Sequence, residues 1–415
     1  MANKSSILFN LLFISLFLIY FKVLPLNVET QPIISIFLSI LILFRSYRDY
    51  FSKQIKLYRD ELGLLFLVLI LLIYTLFQYL FWKEVVLVDC IKYLFGIVLY
   101  LSIRRRFEVK SKVIYLVVIF LVGIGFLNLL LPDLYNLVFG KFIPRTLDSV
   151  RDGLRGINIL TPEPSYFAAF ELVILNIIES QLDKSEKSNL IRNLKWCKWA
   201  IILLSFLTKS AYVITIALVF LIPPRRFIKV GKLIKFGLLI SIVIGFLGYS
   251  FLQENRLFQI FDLAYYLIKD GNIDYQKLLF EQEASGGTRI VVNFLAFSSL
   301  FFRPLGSGLG SFPYVYNDLA KNFNLDLSAH EVLGNSNYST IYAQTYFANL
   351  CNDIGIFSLV LLFVVLIRNS KFNSVNVRRK RYFSLFVLLF FQSQITSPAF
   401  WVILFLAKID RKILI

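Results

Sequence analysis

The stretch Leu62–Trp82, with the sequence LGLLFLVLILLIYTLFQYLFW, contains no charged residue. About 20 mostly apolar residues in an α-helix are long enough to cross the hydrocarbon core of a bilayer. A shorter apolar stretch, Pro32–Phe44, would need local thinning of the bilayer to do the same. Four further segments are long enough to be predicted to cross alone: Ile7–Leu26, Val85–Ile103, Val113–Leu131 and Leu233–Leu252.

The composition of the whole chain supports the same class. Of 415 residues, 58% are hydrophobic and only 17% are charged, and 43 are Phe. A soluble domain of this composition would have too little polar surface to cover its apolar side chains. The sequence therefore predicts an all-α, polytopic integral membrane protein, with residues 1–415 forming a single transmembrane domain of about twelve helices.

The net charge of +18 reflects topology rather than nucleic-acid binding. Most Lys and Arg residues fall in short segments next to predicted spans, which the positive-inside rule places in the cytoplasm. Both termini are therefore predicted to be cytoplasmic, with membrane lipid as a partner and nucleic acid excluded. The basic segments are the N terminus, 45–61, 104–112, 180–199, 223–235, 368–382 and the C-terminal tail.

Two apolar segments are interrupted by polar residues. Trp199–Ile222 is broken at Thr208-Lys209-Ser210, and Phe383–Ala407 is broken at Gln392–Pro398. A lysine inside a span costs about 2.5–3.5 kcal/mol on insertion scales, whereas at a hairpin tip it lies near the interface. Each segment is therefore predicted to form two short helices, with Lys209 at the outer tip of the first pair.

Residues 252–337 form the longest predicted outer loop. Its stretches Arg256–Lys269 and Arg289–Phe302 are rich in large apolar side chains, as expected of helices at a membrane interface. The second is followed by Arg303-Pro-Leu-Gly-Ser-Gly-Leu-Gly-Ser-Phe, in which the glycines indicate tight turns or close backbone approach. No Gly-Lys-Ser/Thr follows, so this is not a nucleotide-binding loop.

Four arginines lie in predicted outer segments, where the positive-inside rule predicts few basic residues. Arginine suits phosphate because its planar fork donates two parallel hydrogen bonds. The alternative is that each side chain extends toward lipid headgroups. The four candidates for binding a diphosphate are Arg151, Arg155, Arg289 and Arg303, with Lys209 as a further cation.

Two residues are candidate general bases at the outer face. Glu163 lies between Pro162 and Pro164, which restrict its backbone, although an acid at the start of a helix is an alternative interpretation. His330 is the single histidine, so it can be a base or an ordinary loop residue but cannot build a His-based metal site. The residues alone do not separate the two bases, and they predict no metal and no cofactor.

Three other charged residues lie in predicted spans, and a structural interpretation is predicted for Asp89 and Lys92 alone. Asp89 and Lys92 are one turn apart on a predicted span and are expected to neutralise each other. Glu171 lies in the middle of a predicted span, Leu160–Ile178, and is expected to face the helix bundle or a hydrated cavity.

Several short motifs resemble bacterial O-antigen and polysaccharide polymerases of the Wzy type. Arg155-Gly-Ile-Asn-Ile-Leu-Thr-Pro-Glu-Pro-Ser-Tyr-Phe-Ala is similar to their Arg…Glu-Pro-Ser segment, and Leu207-Thr-Lys-Ser-Ala to their short basic break. Thr288-Arg289 with the glycine-rich stretch resembles their large-loop signature. Asn352-Asp353-Ile-Gly-Ile resembles the element that opens a late span. The similar region covers most of 150–365, with Lys209 where arginine is more usual.

The resemblance implies a membrane glycosyltransferase of the C-type superfamily in the bacterial inner membrane, with its active site facing outward. Its donor and acceptor would be oligosaccharide repeats on undecaprenyl diphosphate, and a chain-length regulator protein is a further partner. Arg155 and Arg289 would bind the diphosphate, Arg151, Lys209 and Arg303 would assist, and Glu163 or His330 would be the base. The enzyme would need no metal, because the cations fill that role.

Two rival functions remain open from the sequence. One is an O-antigen ligase, which would use the same donor but transfer the glycan to lipid A-core. The other is a lipid-linked oligosaccharide flippase, which should carry its cations inside a central cavity and show two related halves. Here the cations collect in two outer loops and no related halves are visible.

Overall fold

The computed structural model describes residues 2–23, 30–50, 58–82, 87–104, 109–143, 156–183, 188–221, 284–327, 333, 341–367, 375–390 and 396–408. This part of the chain is helical and contains no β-strand. The α-helices are α1 Ala2–Ser15, α2 Ile33–Tyr50, α3 Arg59–Trp82, α4 Leu87–Ile103, α5 Ser111–Leu130, α6 Pro132–Phe139, α7 Phe167–Leu182, α8 Ser188–Leu207, α9 Ala211–Leu221, α10 Ala284–Phe302, α11 Phe312–Lys321, α12 Tyr346–Ile354, α13 Leu359–Leu366, α14 Val375–Phe390 and α15 Ala399–Lys408. Short 3₁₀ helices cover Pro164–Tyr166 and Gly355–Ser358.

Among the described residues, three helical stretches are long and apolar enough to cross a membrane: Arg59–Phe81, Ser111–Leu130 and Tyr346–Leu366. The last combines α12, the 3₁₀ turn and α13. On α3, large side chains such as Leu69, Phe77 and Phe81 are more than half exposed. An outward-facing apolar surface of this kind suits contact with lipid. The helical class is therefore confirmed for the described residues, while the number of about twelve spans stays a prediction.

Helix α7 lies at the centre of the bundle. All of its residues except Glu179, Gln181 and Leu182 are buried. It packs against α8, α9, α14 and α15 and, less extensively, against α5. The core of the bundle therefore fixes the N-terminal end of α7 in place.

Two predicted spans begin or end elsewhere in the structure. Helix α1 ends at Ser15 rather than continuing to Leu26, since the Ser15 hydroxyl donates to the Leu12 carbonyl at 2.7 Å and the following turns have three-residue spacing. Helix α7 starts at Phe167 instead of near Leu160, because Pro162 and Pro164 disfavour helical geometry in the residues before them. Leu233–Leu252 and Arg256–Lys269 lie outside the described residues.

Both predicted broken segments consist of two helices. Helix α8 ends at Leu207 and α9 begins at Ala211, and Lys209 between them adopts a left-handed backbone with φ of 50°. Helix α14 ends at Phe390 and α15 begins at Ala399. The breaks are therefore confirmed, while their position on the outer side of a membrane stays a prediction.

Candidate functional site

The irregular segment 156–166, before α7, is held against the turn between α8 and α9. The Ile157 N–H donates to the Leu207 carbonyl at 3.2 Å. A Cβ on Gly156 would lie only 2.2 Å from the Thr208 carbonyl group, so only glycine allows this approach. Leu160 and Lys209 both have positive φ, and strained backbone of this kind is concentrated at functional sites.

Glu163 in this segment pairs with Arg289 of α10. The Arg289 Nη2 donates to Glu163 Oε2 at 2.8 Å and to the Ser165 hydroxyl at 3.0 Å. The same guanidinium lies 5.6 Å from the centre of the Tyr166 ring, within the range of a cation–π contact. The side chains of Arg289 and Glu163 are 11% and 20% exposed, so the pair is largely shielded yet reachable from one side.

Glu163 also fits the alternative interpretation, an acid at the start of a helix. It occupies the position before the 3₁₀ helix Pro164–Tyr166, and its side chain makes no capping hydrogen bond. Its carboxylate instead contacts a cation that is 126 residues away in sequence.

The other predicted site residues are placed differently. Lys209 lies at the turn that Gly156 contacts, on the same side of the bundle as segment 156–166. Arg303 follows the opposite end of α10 from Arg289, about 21 Å away at 1.5 Å per residue, and contacts Ser307 at 3.3 Å and Asp318 at 3.7 Å. The structure therefore does not bring Arg303 to the Glu163–Arg289 pair. Arg151, Arg155 and His330 lie outside the described residues.

The glycine-rich loop after α10 is anchored on the end of α12. The N–H groups of Ser307 and Gly308 donate to the carbonyls of Asn352 and Asp353 at 2.7 and 3.0 Å, and the Gly310 N–H donates to the Asp353 carboxylate at 3.0 Å. Three glycines of the loop, Gly306, Gly308 and Gly310, adopt positive φ as this path requires. The glycine-rich motif and the Asn352-Asp353 motif thus form one structural unit.

Asp353 is the buried centre of this unit. Its carboxylate accepts hydrogen bonds from the Tyr93 hydroxyl at 2.7 Å and the Asn352 side chain at 2.9 Å, besides that from Gly310. A carboxylate with three fixed donors is satisfied and leaves little capacity for a ligand. Asp353 therefore positions the loop rather than joining the chemistry.

The predicted contact between Asp89 and Lys92 and the expected inward position of Glu171 are confirmed. Lys92 Nζ lies 2.7 Å from Asp89 Oδ1, and it also lies 5.5 Å from the Tyr342 ring centre. Burial, with the nearby Asp89 carboxylate, raises the pKa of Tyr342, so this phenol stays protonated near neutral pH. Glu171 is completely buried and faces the bundle.

Sequence reasoning missed the contribution of Ser165 and Tyr166 to the Arg289 contact. Both directly follow Glu163-Pro164, and a hydroxyl and an aromatic ring beside a rigid acid are the signal that could have found them. Within the described ranges, no three His, Cys, Asp or Glu residues are grouped so that they could hold a metal ion. The assembled parts are a carboxylate, a guanidinium and a hydroxyl.

No family model, curated protein or solved structure matches this chain. The described residues define a helical protein that has helices long and apolar enough to cross a membrane and an acid–arginine pair at the end of its central helix.

Proposed function

We propose that this protein is a metal-independent membrane glycosyltransferase that polymerises oligosaccharide repeats linked to undecaprenyl diphosphate. The reaction takes place at the outer face of a bacterial inner membrane. The observation that carries the proposal is the 2.8 Å contact between Glu163 and Arg289, which joins a candidate base and a candidate phosphate ligand in one partly shielded site.

The two residues divide the chemistry between them. A hydroxyl oxygen of the acceptor attacks the anomeric carbon of the donor, and the bond from that carbon to the diphosphate oxygen breaks. Glu163 accepts the hydroxyl proton, and undecaprenyl diphosphate leaves with the bonding electron pair. Arg289 donates hydrogen bonds to the diphosphate, whose charge grows as the bond breaks, and so stabilises the transition state more than the ground state.

Donor binding would also free the base. Without substrate the carboxylate of Glu163 is paired with Arg289. A diphosphate carries more negative charge than one carboxylate and matches the arginine fork in two bonds. Binding of the donor therefore draws Arg289 away from Glu163 and leaves the carboxylate available to the acceptor hydroxyl.

The local fold suits this role. Pro162 and Pro164 restrict the backbone on both sides of Glu163, and the contact of Gly156 with Thr208 fixes the start of the segment. A catalytic side chain should be held to within about half an ångström of its working position. Ser165 holds the guanidinium at 3.0 Å on the same segment.

The test is complementation of a deletion strain of the native host, with the surface polysaccharide separated by length. The wild-type chain should restore long polymer, and Glu163→Gln and Arg289→Ala should leave single repeats at equal membrane abundance. If the protein is a ligase, the variants should still form long polymer on its lipid carrier but transfer none to lipid A-core. If it is a flippase, the variants should leave the repeats facing the cytoplasm, where an external glycosidase cannot reach them.

A further inference from the structure

Glu171 is a buried acid that the proposed reaction does not use. It lies one turn after the start of α7 and is 0% exposed. Its Oε1 is 2.6 Å from the Ser205 hydroxyl of α8. Its Oε2 has no hydrogen-bond partner among the described residues. An acid within a membrane-crossing bundle is costly and usually has a function.

The Ser205 hydroxyl lies within hydrogen-bond distance of two oxygen atoms. Its oxygen contacts both Glu171 Oε1 at 2.6 Å and the Ile201 carbonyl at 2.8 Å. A hydroxyl has a single proton to donate, and a backbone carbonyl can only accept. If Ser205 donates to Ile201, the short contact with Glu171 needs a proton on the carboxyl group, which then donates to Ser205.

Among the described residues, no cation lies beside Glu171 to stabilise an ionised carboxylate. Helix α7 packs against α5, α8, α9, α14 and α15, and Phe17 and Tyr20, after α1, contact its residue Phe170. The cations near these helices have partners or positions elsewhere: Lys198 and Lys380 bind Glu179, Arg381 binds Ser180 and the Leu406 carbonyl, Lys408 binds the Val365 and Ile367 carbonyls, Lys209 lies at the α8–α9 turn, and Arg192, Lys195 and Lys112 are exposed.

The remaining charged groups on these helices are also displaced from Glu171. Helix α9 carries no charged residue, and the stretches 201–207 of α8 and 399–407 of α15 are free of charge as well. On α14 the charged residues are confined to 378–381, near Glu179 and Ser180 rather than Glu171. Glu163 and Tyr166, at the N-terminal side of α7, are engaged with Arg289. A buried acid with one hydroxyl neighbour and no cation is more stable in its neutral form.

We propose that Glu171 is a proton-binding site, a neutral carboxylic acid that donates to Ser205 at neutral pH and is open to modification by hydrophobic carbodiimides. In that modification the carboxyl oxygen bonds to the central carbodiimide carbon, and the carboxyl proton moves to a carbodiimide nitrogen. The adduct rearranges to a stable acylurea with no leaving group. This inference is independent of the proposed glycosyl transfer.

The first experiment treats purified full-length protein in detergent with N,N′-dicyclohexylcarbodiimide at neutral pH, followed by peptide mass spectrometry. Glu171 should be labelled, and the label should be lost in Glu171→Gln. Glu179 is the internal control, because its ion pairs at 2.7 and 2.8 Å keep it ionised and unlabelled. Labelling of Glu179 in preference to Glu171 would overturn the proposal.

The second experiment measures thermal unfolding of wild type and Glu171→Gln across a pH series, and it decides the matter if the reagent gains no access. The folded protein keeps a proton on Glu171 that the unfolded chain releases above the usual range of glutamate, so the contribution of Glu171 to stability falls as pH rises. The Tm of Glu171→Gln relative to wild type should therefore rise with pH. A difference in Tm that does not change with pH, or that falls as pH rises, would contradict the proposal.

Discussion

The guanidinium of Arg289 donates through Nη2 to Oε2 of Glu163 at 2.8 Å, although 126 residues separate the two in sequence. One residue precedes the central helix α7 and the other lies near the start of α10. A change at either residue therefore removes the ion-pair partner of the other.

Replacing Arg289 should abolish polymer formation. Arg289→Ala removes a donor to the developing charge, for which losses of about 10²–10³-fold in rate are typical. Arg289→Lys should restore little activity, because an ammonium group cannot form two parallel bonds to phosphate. Polymer length is read from gels of surface polysaccharide at matched membrane abundance. Arg155→Ala is expected to give the same loss.

The matched control is Arg303→Lys, at the opposite end of α10. The partners of Arg303 are Ser307 and Asp318, not the Glu163 pair. Polymer length should therefore change much less than in Arg289→Lys. Full activity in both Arg289→Lys and Arg155→Lys would mean that these arginines do not recognise a diphosphate.

Glu163→Gln should be more damaging than His330→Ala. Removing a general base typically costs about 10²–10⁴-fold in rate, and the backbone of Glu163 is held by two prolines and by contacts of its segment. Chain-length distributions in vivo report the effect. Loss in both variants would indicate a shared site, and loss in Glu163→Gln alone would leave His330 as a loop residue. Retention of polymer in both would place the base elsewhere.

Gly156→Ala should displace the site segment from the α8–α9 turn. The new Cβ would meet backbone atoms of Thr208 at 2.2 Å, and backbone cannot move aside as a side chain can. Overpacking of this kind costs about 1–3 kcal/mol. Gly123→Ala is the control, because nothing lies within 4 Å of its Cβ position. We expect a lower Tm and shorter polymer for Gly156→Ala alone, and equal behaviour of the two variants would argue against the contact.

Labelling with a membrane-impermeant thiol reagent tests the predicted topology. The native cysteines Cys90, Cys197 and Cys351 are buried and form no disulfide. All three can therefore be replaced to give a cysteine-free protein for labelling. Cysteines introduced at 141–155 and 270–330 should react from outside the cell, and those at 45–61, 180–198 and 370–380 should not. Reaction of 252–337 only after permeabilisation would reverse the topology and move the site to the cytoplasm.

Periodicity and composition were sufficient for much of the fold. Leu62–Trp82 and Val113–Leu131 match α3 and α5 closely, because long apolar runs without breakers have one favoured structure. The Ser15 hydroxyl at the early end of α1 donates to the Leu12 carbonyl and also contacts Ser35, and the second contact is one that local sequence does not reveal. The two helices around Lys209 were predicted from the polar break and the basic residues on both flanks.

The site was predictable in its parts but not in its pairing. Proline on both sides marked Glu163 as rigid, and the inside bias marked Arg289 as unusual. That the two touch depends on how α10 packs against the bundle, which is a long-range property. For the same reason the anchoring of the glycine loop on Asp353 could not be foreseen, although both motifs were visible.

The most direct test of the central claim uses purified protein in liposomes with the lipid-diphosphate-linked repeat unit of the native host. Polymer length and released undecaprenyl diphosphate are followed at varied donor concentration. The account predicts that wild type lengthens the glycan without added metal. It also predicts that Glu163→Gln lowers kcat by about 10²–10⁴-fold with little change in KM, and that Arg289→Lys impairs both. Polymer formation by Glu163→Gln at the wild-type rate would contradict the account, and so would a wild type that forms no polymer.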